Sequence, residues 1–212
     1  LCTHYAHLNV EELRQRRGRQ CIIGSYESGL DCAYFFAQHG MDADVYGDNP
    51  TLSDDPSVTL APRTFDRIRD NVFQKHIRSI TERVVSVERC EDGYRVSTHS
   101  GSEVYAYPPI LCTGFMQVPP LLTPHVSIVD GVAQLSSSDE STLRKGLFFT
   151  GPSVKHGTSK YCFVYKFRQR FPVVAAAIAR RLGHDPGEMV RYYKKNTMYI
   201  KNPTSCGPLC EC

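Results

Sequence analysis

Short continuous apolar runs, each closed by a glycine, dominate the first half of the chain. Gln20-Cys21-Ile22-Ile23 is one such run, and its abrupt end at Gly24 predicts a buried parallel strand. Beyond it Leu30, Ala33, Tyr34 and Ala37 recur at helical spacing, so a helix is expected over residues 28–39, stopped by Gly40. Ala43-Asp44-Val45-Tyr46 reads as a second strand, which completes a unit the size of a βαβ crossover. Pro62 is placed to open a helix running to Arg69. Residues 77–80, 84–87, 94–98 and 103–107 then alternate as strands, with Asp92-Gly93 as a hairpin turn. Another buried strand is expected over 109–112, ending at Thr113-Gly114. A further one over 147–150 ends at Gly151-Pro152. A long helix is predicted over 159–182, and Pro186 opens a last one of about ten residues. Residues 202–212 lack periodicity and read as a tail.

The pattern defines an α/β protein with a Rossmann-like three-layer domain and a β-meander. Its 212 residues, 41% of them hydrophobic, suffice for a sizeable core. The net charge of +3 is spread widely, which makes no case for nucleic acid; the basic stretch from Arg14 to Arg19 reads as a solvated face. No apolar run approaches the ~20 residues of a membrane-spanning helix. The chain starts at Leu1 without a basic or apolar leader, as it would if cut from the middle of a longer protein. Four of the nine cysteines, Cys21, Cys32, Cys112 and Cys162, sit in apolar segments where the thiol packs as a small hydrophobe. The expected compartment is therefore reducing and cytoplasmic.

The sharpest chemical signal is the turn Gly24-Ser25-Tyr26-Glu27-Ser28-Gly29 between a strand and a helix. A helix start presents unpaired N–H groups and a partial positive charge, which suit a pyrophosphate. Gly24 permits the tight turn and Gly29 the close packing of helix on strand. Tyr26 stands where a dinucleotide fingerprint has its middle glycine, so its side chain must turn away from the phosphates or shield them. Glu27 and Ser28 suit either a ligand contact or helix capping. Asp48 follows the second strand at the offset of the residue that reads the adenosine ribose, which favours NADH. Arg63, Arg67 and Arg69 are cations for the 2′-phosphate of NADPH, and the choice between the two stays open.

With residues 31–34, Asp-Cys-Ala-Tyr, the glycine turn resembles the nicotinamide segment of FAD-dependent pyridine-nucleotide oxidoreductases. The likeness is to the thioredoxin-reductase-like, bacillithiol-disulfide-reductase-like and flavin-monooxygenase-like branches. Ile110-Leu111-Cys112-Thr113-Gly114-Phe115 is similar to the strand end of that family, with Cys112 in an alanine's place. Leu147-Phe148-Phe149-Thr150-Gly151-Pro152 resembles the late strand that passes the flavin, with proline replacing the usual aspartate. The resemblance implies a crossing-in segment at 1–19, an NAD(P)-binding Rossmann domain at 20–116, and the partial return of an FAD-type domain at 117–200. A Cys-rich tail follows at 201–212. It further implies hydride transfer from NADH or NADPH to FAD, an N-terminal FAD-binding half outside the chain, Gly151 and His156 near the flavin, and compatibility with a homodimer. A flavin monooxygenase or a nucleotide-sensing module is the alternative reading.

Thioredoxin-reductase relatives carry a close cysteine pair in this domain. Here Cys32, Cys90 and Cys112 are far apart in sequence, so none is expected. Cys206, Cys210 and Cys212 in the tail are candidate catalytic thiols for a small-molecule or protein disulfide; a soft metal site and an idle tail are the other readings. No resident metal is expected. Lys166, Arg168 and Arg170 read as a solvated helix face, with a flavin pyrophosphate or anionic substrate as the other reading, and Tyr161, Cys162, Tyr165 and Phe167 as core, with a pocket lining as the other.

Overall fold

The computed structural model describes residues 1–49, 59–115, 118–157, 159–161 and 164–202. It divides into two compact units, one of residues 1–53 with 58–114 and one of 54–57 with 115–212.

The first unit opens with β1 (Thr3–His4), a one-turn 3-10 helix and α1 (Val10–Gln15), which Asn9 caps through its side chain. Then come β2 (Gln20–Ile23), α2 (Glu27–Gln38), β3 (Ala43–Tyr46), α3 (Pro62–Arg69), α4 (Asn71–His76) and β4 (Ile77–Ile80). A meander of β5 (Ser86–Cys90), β6 (Gly93–Ser97) and β7 (Ser102–Tyr105) leads to β8 (Ile110–Leu111). The five strands outside the meander form one parallel sheet in the order β1-β8-β2-β3-β4.

Alternation along the strands assigns the two faces. Ile22, Ala43, Val45 and Ile110 pack with Leu30, Ala33 and Phe36 of α2 and with Phe73 of α4. Cys21 and Tyr46 face the other way, against Val96 and Tyr105 of the meander, with Ile23 and Ile80 beside them. The result is three layers: helices, parallel sheet, antiparallel meander.

One buried polar cluster lies on the meander side. Asp44 is fully buried in β3. It accepts from Arg78 Nε at 2.9 Å and Nη2 at 2.7 Å, from Arg19 Nη1 at 2.9 Å and from the Tyr105 hydroxyl at 2.6 Å. Since Tyr105 spends its proton on Asp44, the Tyr46 hydroxyl donates to Tyr105 at 2.8 Å. Burial alone would raise the Asp44 pKa; the hydrogen bonds from Arg78, Tyr105 and Arg19 more than offset it, and the carboxyl titrates below its ordinary value.

The second unit contains the hairpin β9 (Ile128–Val129) and β10 (Val132–Ala133), the short pair β11 (Lys155–His156) and β12 (Ser159–Lys160), and helices α5 (Val164–Phe167), α6 (Phe171–Arg181) and α7 (Gly187–Lys195). Its core joins Val126, Ala133, Phe149, Val154 and Tyr161. Two expectations fail here. The long helix over 159–182 is broken: Pro172 near the start of α6 has no N–H for the carbonyl of Arg168, so α6 begins afresh. Residues 147–150 join no sheet; Phe148 makes a single bridge to Glu140, and the Phe149 N–H is taken by the Asp139 carbonyl at 2.8 Å.

Nor do Lys166 and Arg170 lie on a solvated face; both are buried, while Arg168 is exposed. Arg170 donates to Asp139 Oδ2 at 2.8 Å and Oδ1 at 2.7 Å, to the Ser137 carbonyl at 2.7 Å and to the Ile200 carbonyl at 2.5 Å. Such a guanidinium is tolerated inside because nearly every donor has a fixed acceptor. Among the described residues no helix is long and apolar enough to cross a membrane.

Because the Asp44 pKa is depressed on folding, its contribution to stability is complete above the unfolded value of about 3.9 and is lost as pH falls through the folded pKa. Urea denaturation of Asp44→Asn should show a loss of about 3 kcal/mol at neutral pH and a flatter profile below about pH 4. Wild-type stability at neutral pH in the variant would contradict this account. Arg170→Met, which leaves Asp139 buried and short of its partner, should cost about as much and be read in the same way.

Candidate functional site

Parallel sheets bind ligands outside the carboxyl ends of their strands, where the chain departs in opposite directions from neighbouring strands. That point here lies between β2 and β8. From β2 the chain runs through α2 to β3 on one side, while β8 sits on the other. A cavity of about 710 Å³ opens there, within the usual range for small-molecule sites. Four segments line it: the turn after β2, the end of β3 from Tyr46 to Asn49, Glu82 to Val84 after β4, and Cys112-Thr113-Gly114 after β8.

The segments are held by backbone bonds that continue the sheet beyond its strands. Gly24 N–H donates to the Tyr46 carbonyl at 2.8 Å, Cys112 N–H to Ile23 at 2.8 Å, and Gly47 N–H to Ile80 at 3.1 Å. Three glycines make this closeness possible. Gly24 has φ +115°, and a Cβ there would overlap the Cys112 carbonyl. A Cβ on Gly29 would overlap the Gly24 carbonyl oxygen. Gly47, at φ +154°, would bring one to 2.5 Å from Ser25 Oγ. Ser25 Oγ in turn donates to the Asp48 carbonyl at 2.5 Å.

No side chain caps α2 at Tyr26. The first turn of the helix, at Glu27 and Ser28, lines the cavity with no hydrogen bond from the N-cap side chain, an arrangement that suits a phosphate. The cradle that a Cβ would fill and the uncapped helix start together fit the pyrophosphate of a dinucleotide. Tyr26, the departure from the fingerprint, lines the cavity as an exposed residue (41%), with its hydroxyl donating to the Thr59 carbonyl at 2.6 Å.

Glu27 lies beside the helix start, yet its carboxylate is engaged elsewhere. It accepts from the Ala61 N–H and, at 2.6 Å, from the Thr64 hydroxyl, and so ties the start of α3 to that of α2. Ser28 lines the cavity. Asp48 reaches it at the end of β3 and pairs with Arg83 at 2.7 Å, which holds its pKa below the ordinary value. The proposed 2′-phosphate cations do not gather there. Arg63 is absent from the lining, Arg67 pairs with Asp31 and lies over the Tyr34 ring, and Arg69 lies over Phe65. Arg83 lines the cavity beside Asp48. Its signal in the sequence was its place just past the strand at 77–80, legible only once that strand is known to lie beside β3.

Cys112 and Cys32, distant in sequence, are neighbours in one buried cluster. A Cβ on Gly29 would lie 3.5 Å from Cys112 Cβ, and Cys32 is one helical turn along the same face. The hydrogen bond with Cys112, and burial after it, push the Cys32 thiol well above its ordinary pKa. Burial also raises Cys21, which packs under the meander. The raised values of Cys32 and Cys21 suit thiols that pack as small hydrophobes.

Gly151 and His156 belong to the second unit. Gly151 takes a left-handed turn at φ +89°, and His156 Nε2 is bonded to Asp139 Oδ1 at 2.6 Å, beside Arg170. Tyr161 is core, as expected. Cys162, Cys206, Cys210 and Cys212 lie outside the described residues. No group of metal-ligating side chains occurs among the described residues.

Fold and cavity together define a Rossmann-type nucleotide-binding protein. A family model described as pyridine nucleotide-disulphide oxidoreductase matches residues 1–151, and the chain belongs to that family. Among solved structures, a pyridine nucleotide-disulfide family oxidoreductase from Enterococcus faecalis V583 superposes with a TM-score of 0.62 at 14% identity, over 82% of this chain and 42% of that one. An NAD-dependent persulfide reductase from A. fulgidus gives 0.55 at 17% identity, over 80% of this chain and 32% of its own. The water-forming NADH oxidase of Lactobacillus brevis, bound to NADH, gives 0.50 at 18% identity over 68% and 31%. At such identities the likeness is one of fold, and the chain spans less than half the length of these relatives.

Gly29→Ala should push α2 away from β2. The expected loss is about 1–3 kcal/mol of stability by thermal denaturation, with dinucleotide affinity down at least about tenfold. Full affinity in a folded Gly29→Ala protein would refute the role given to this contact.

Proposed function

We propose that the first unit binds a nicotinamide dinucleotide, NADH or NADPH, and that the protein is an oxidoreductase using it together with FAD. The observation that carries this reading is the uncapped start of α2, crowded against β2 and β8 by Gly24 and Gly29. Membership of the family supports the flavin as the second cofactor.

The chain's own residues bind and orient. N–H groups at the start of α2, around Glu27, Ser28 and Gly29, hold the pyrophosphate. Asp48 stands on the adenosine side, and Thr113 with Gly114 on the nicotinamide side. When bound, the reduced nicotinamide supplies a hydride and the flavin accepts it; that chemistry is the cofactors' own. No acid or base from this chain is required for the step. Among the described residues a single glycine turn joins a strand to a helix, so the chain's cradle is assigned to the nicotinamide dinucleotide. For the electron acceptor we propose a disulfide or other sulfur substrate, reached through Cys206, Cys210 and Cys212.

Calorimetric titration of the full chain with NADH and NADPH should give saturable binding of at least one of them, weakened at least about tenfold in Gly24→Ala. Absence of binding to both at millimolar concentration would remove the central claim. For the tail, replacing all three C-terminal cysteines by serine should abolish reduction of disulfide substrates while nicotinamide oxidation by an artificial acceptor persists; unchanged disulfide reduction would leave the tail without a role.

A further inference from the structure

A second pocket, of about 370 Å³, opens between the N-terminal segment and α2. That volume also falls within the range of small-molecule sites. It shares no lining residue with the cofactor cavity, although α2 serves both. The first turn of α2 borders the cofactor cavity, while Asp31, Cys32 and Phe35, farther along, border this pocket. Local spacing builds the walls. Val10 and Leu13 lie about one turn apart on α1 and share a face, as do Cys32 and Phe35 on α2. The 3-10 turn before α1 adds Tyr5 and Leu8, and both pack against the core on the helix side of the sheet.

Two polar groups interrupt this apolar lining. Asp31 spends Oδ1 on Arg67, and the guanidinium offsets the carboxylate charge. Its Oδ2 accepts no hydrogen bond among the described residues, and the Tyr5 hydroxyl has no hydrogen-bond partner among them either. Burial first, and the Asp31 charge after it, raise the Tyr5 pKa, so the phenol keeps its proton. A donor and an acceptor therefore stand unspent in one apolar recess. A ligand hydroxyl answers both at once, donating to Asp31 Oδ2 and accepting from Tyr5. An ammonium only donates, and it meets a carboxylate whose charge is already offset. A carboxylate only accepts, and it is repelled by Asp31.

We propose that the pocket between the N-terminal segment and α2 binds a phenol, or another compact apolar molecule carrying one hydroxyl, at a site separate from the cofactor cavity. The apolar walls take the body of the ligand, and Tyr5 with Asp31 fixes its hydroxyl. The site does not depend on the dinucleotide reading of the other cavity.

Fluorine NMR titration of the full chain tests the site with para-fluorophenol, set against fluorobenzene, para-fluorobenzylamine and para-fluorobenzoate. The phenol should bind saturably at millimolar concentration or below, at least about tenfold more tightly than each of the other three. Tyr5→Phe should weaken the phenol at least about fivefold and leave fluorobenzene unchanged. Val10→Trp, which fills the pocket from a half-exposed position, should abolish binding of both. Circular dichroism confirms the fold of each variant. Saturating NADH should leave the phenol bound. Absence of saturable phenol binding, an equal or higher affinity for any of the three comparison probes, or full phenol affinity in Tyr5→Phe or Val10→Trp would each overturn the proposal. Displacement of the phenol by NADH would overturn it too, by putting the probe in the cofactor cavity.

Discussion

Backbone packed directly on backbone at the carboxyl end of β2 is the contact on which the first unit depends. Gly24 lies against the Cys112 carbonyl, Gly29 against Gly24, and Gly47 against Ser25. Each contact excludes a β-carbon, and together they draw the start of α2 and the ends of β3 and β8 to one point. A longer separation at any of them would leave the helix dipole too far from a phosphate to act on it, since its field fades within the first turn. The cavity follows from this crowding.

The surrounding layers are pinned by buried charge. Asp44 and Asp139 are both fully buried, and each is gripped by an arginine fork and further groups: Arg19 and a tyrosine hydroxyl for Asp44, an imidazole for Asp139. Such clusters add little net stability over apolar packing, yet losing one partner is costly. They therefore act mainly on geometry. The Asp44 cluster locks Tyr105 of the meander and Arg78 of β4 to β3, and this fixes the exit of β4 from which Glu82 and Arg83 reach the cavity.

Much of the first unit was legible in the chain. The strands at 20–23 and 43–46 and the helix at 62–69 match their expected limits, because continuous apolar runs ending in glycine, and proline at a helix start, are local signals. Local signals fail for β1 and α4, which are short and depend on tertiary partners. They fail for 159–182, where spacing suggested a continuous helix and Pro172 interrupts it. The burial of Arg170 was illegible because its partners lie some thirty residues away on either side. For the same reason the neighbourhood of Cys32 and Cys112 was invisible, and Arg83 went unnoticed while Asp48 did not: Asp48 stands at a fixed offset from the glycine turn, whereas Arg83 depends on which strand lies next to which.

Glu27 has a mechanical consequence of its own. It stands in the first turn of α2, yet its oxygens accept from the amide of Ala61 and the hydroxyl of Thr64 at the start of α3. One side chain thus staples the starts of two helices together, so that a displacement of α3 is carried to the mouth of α2.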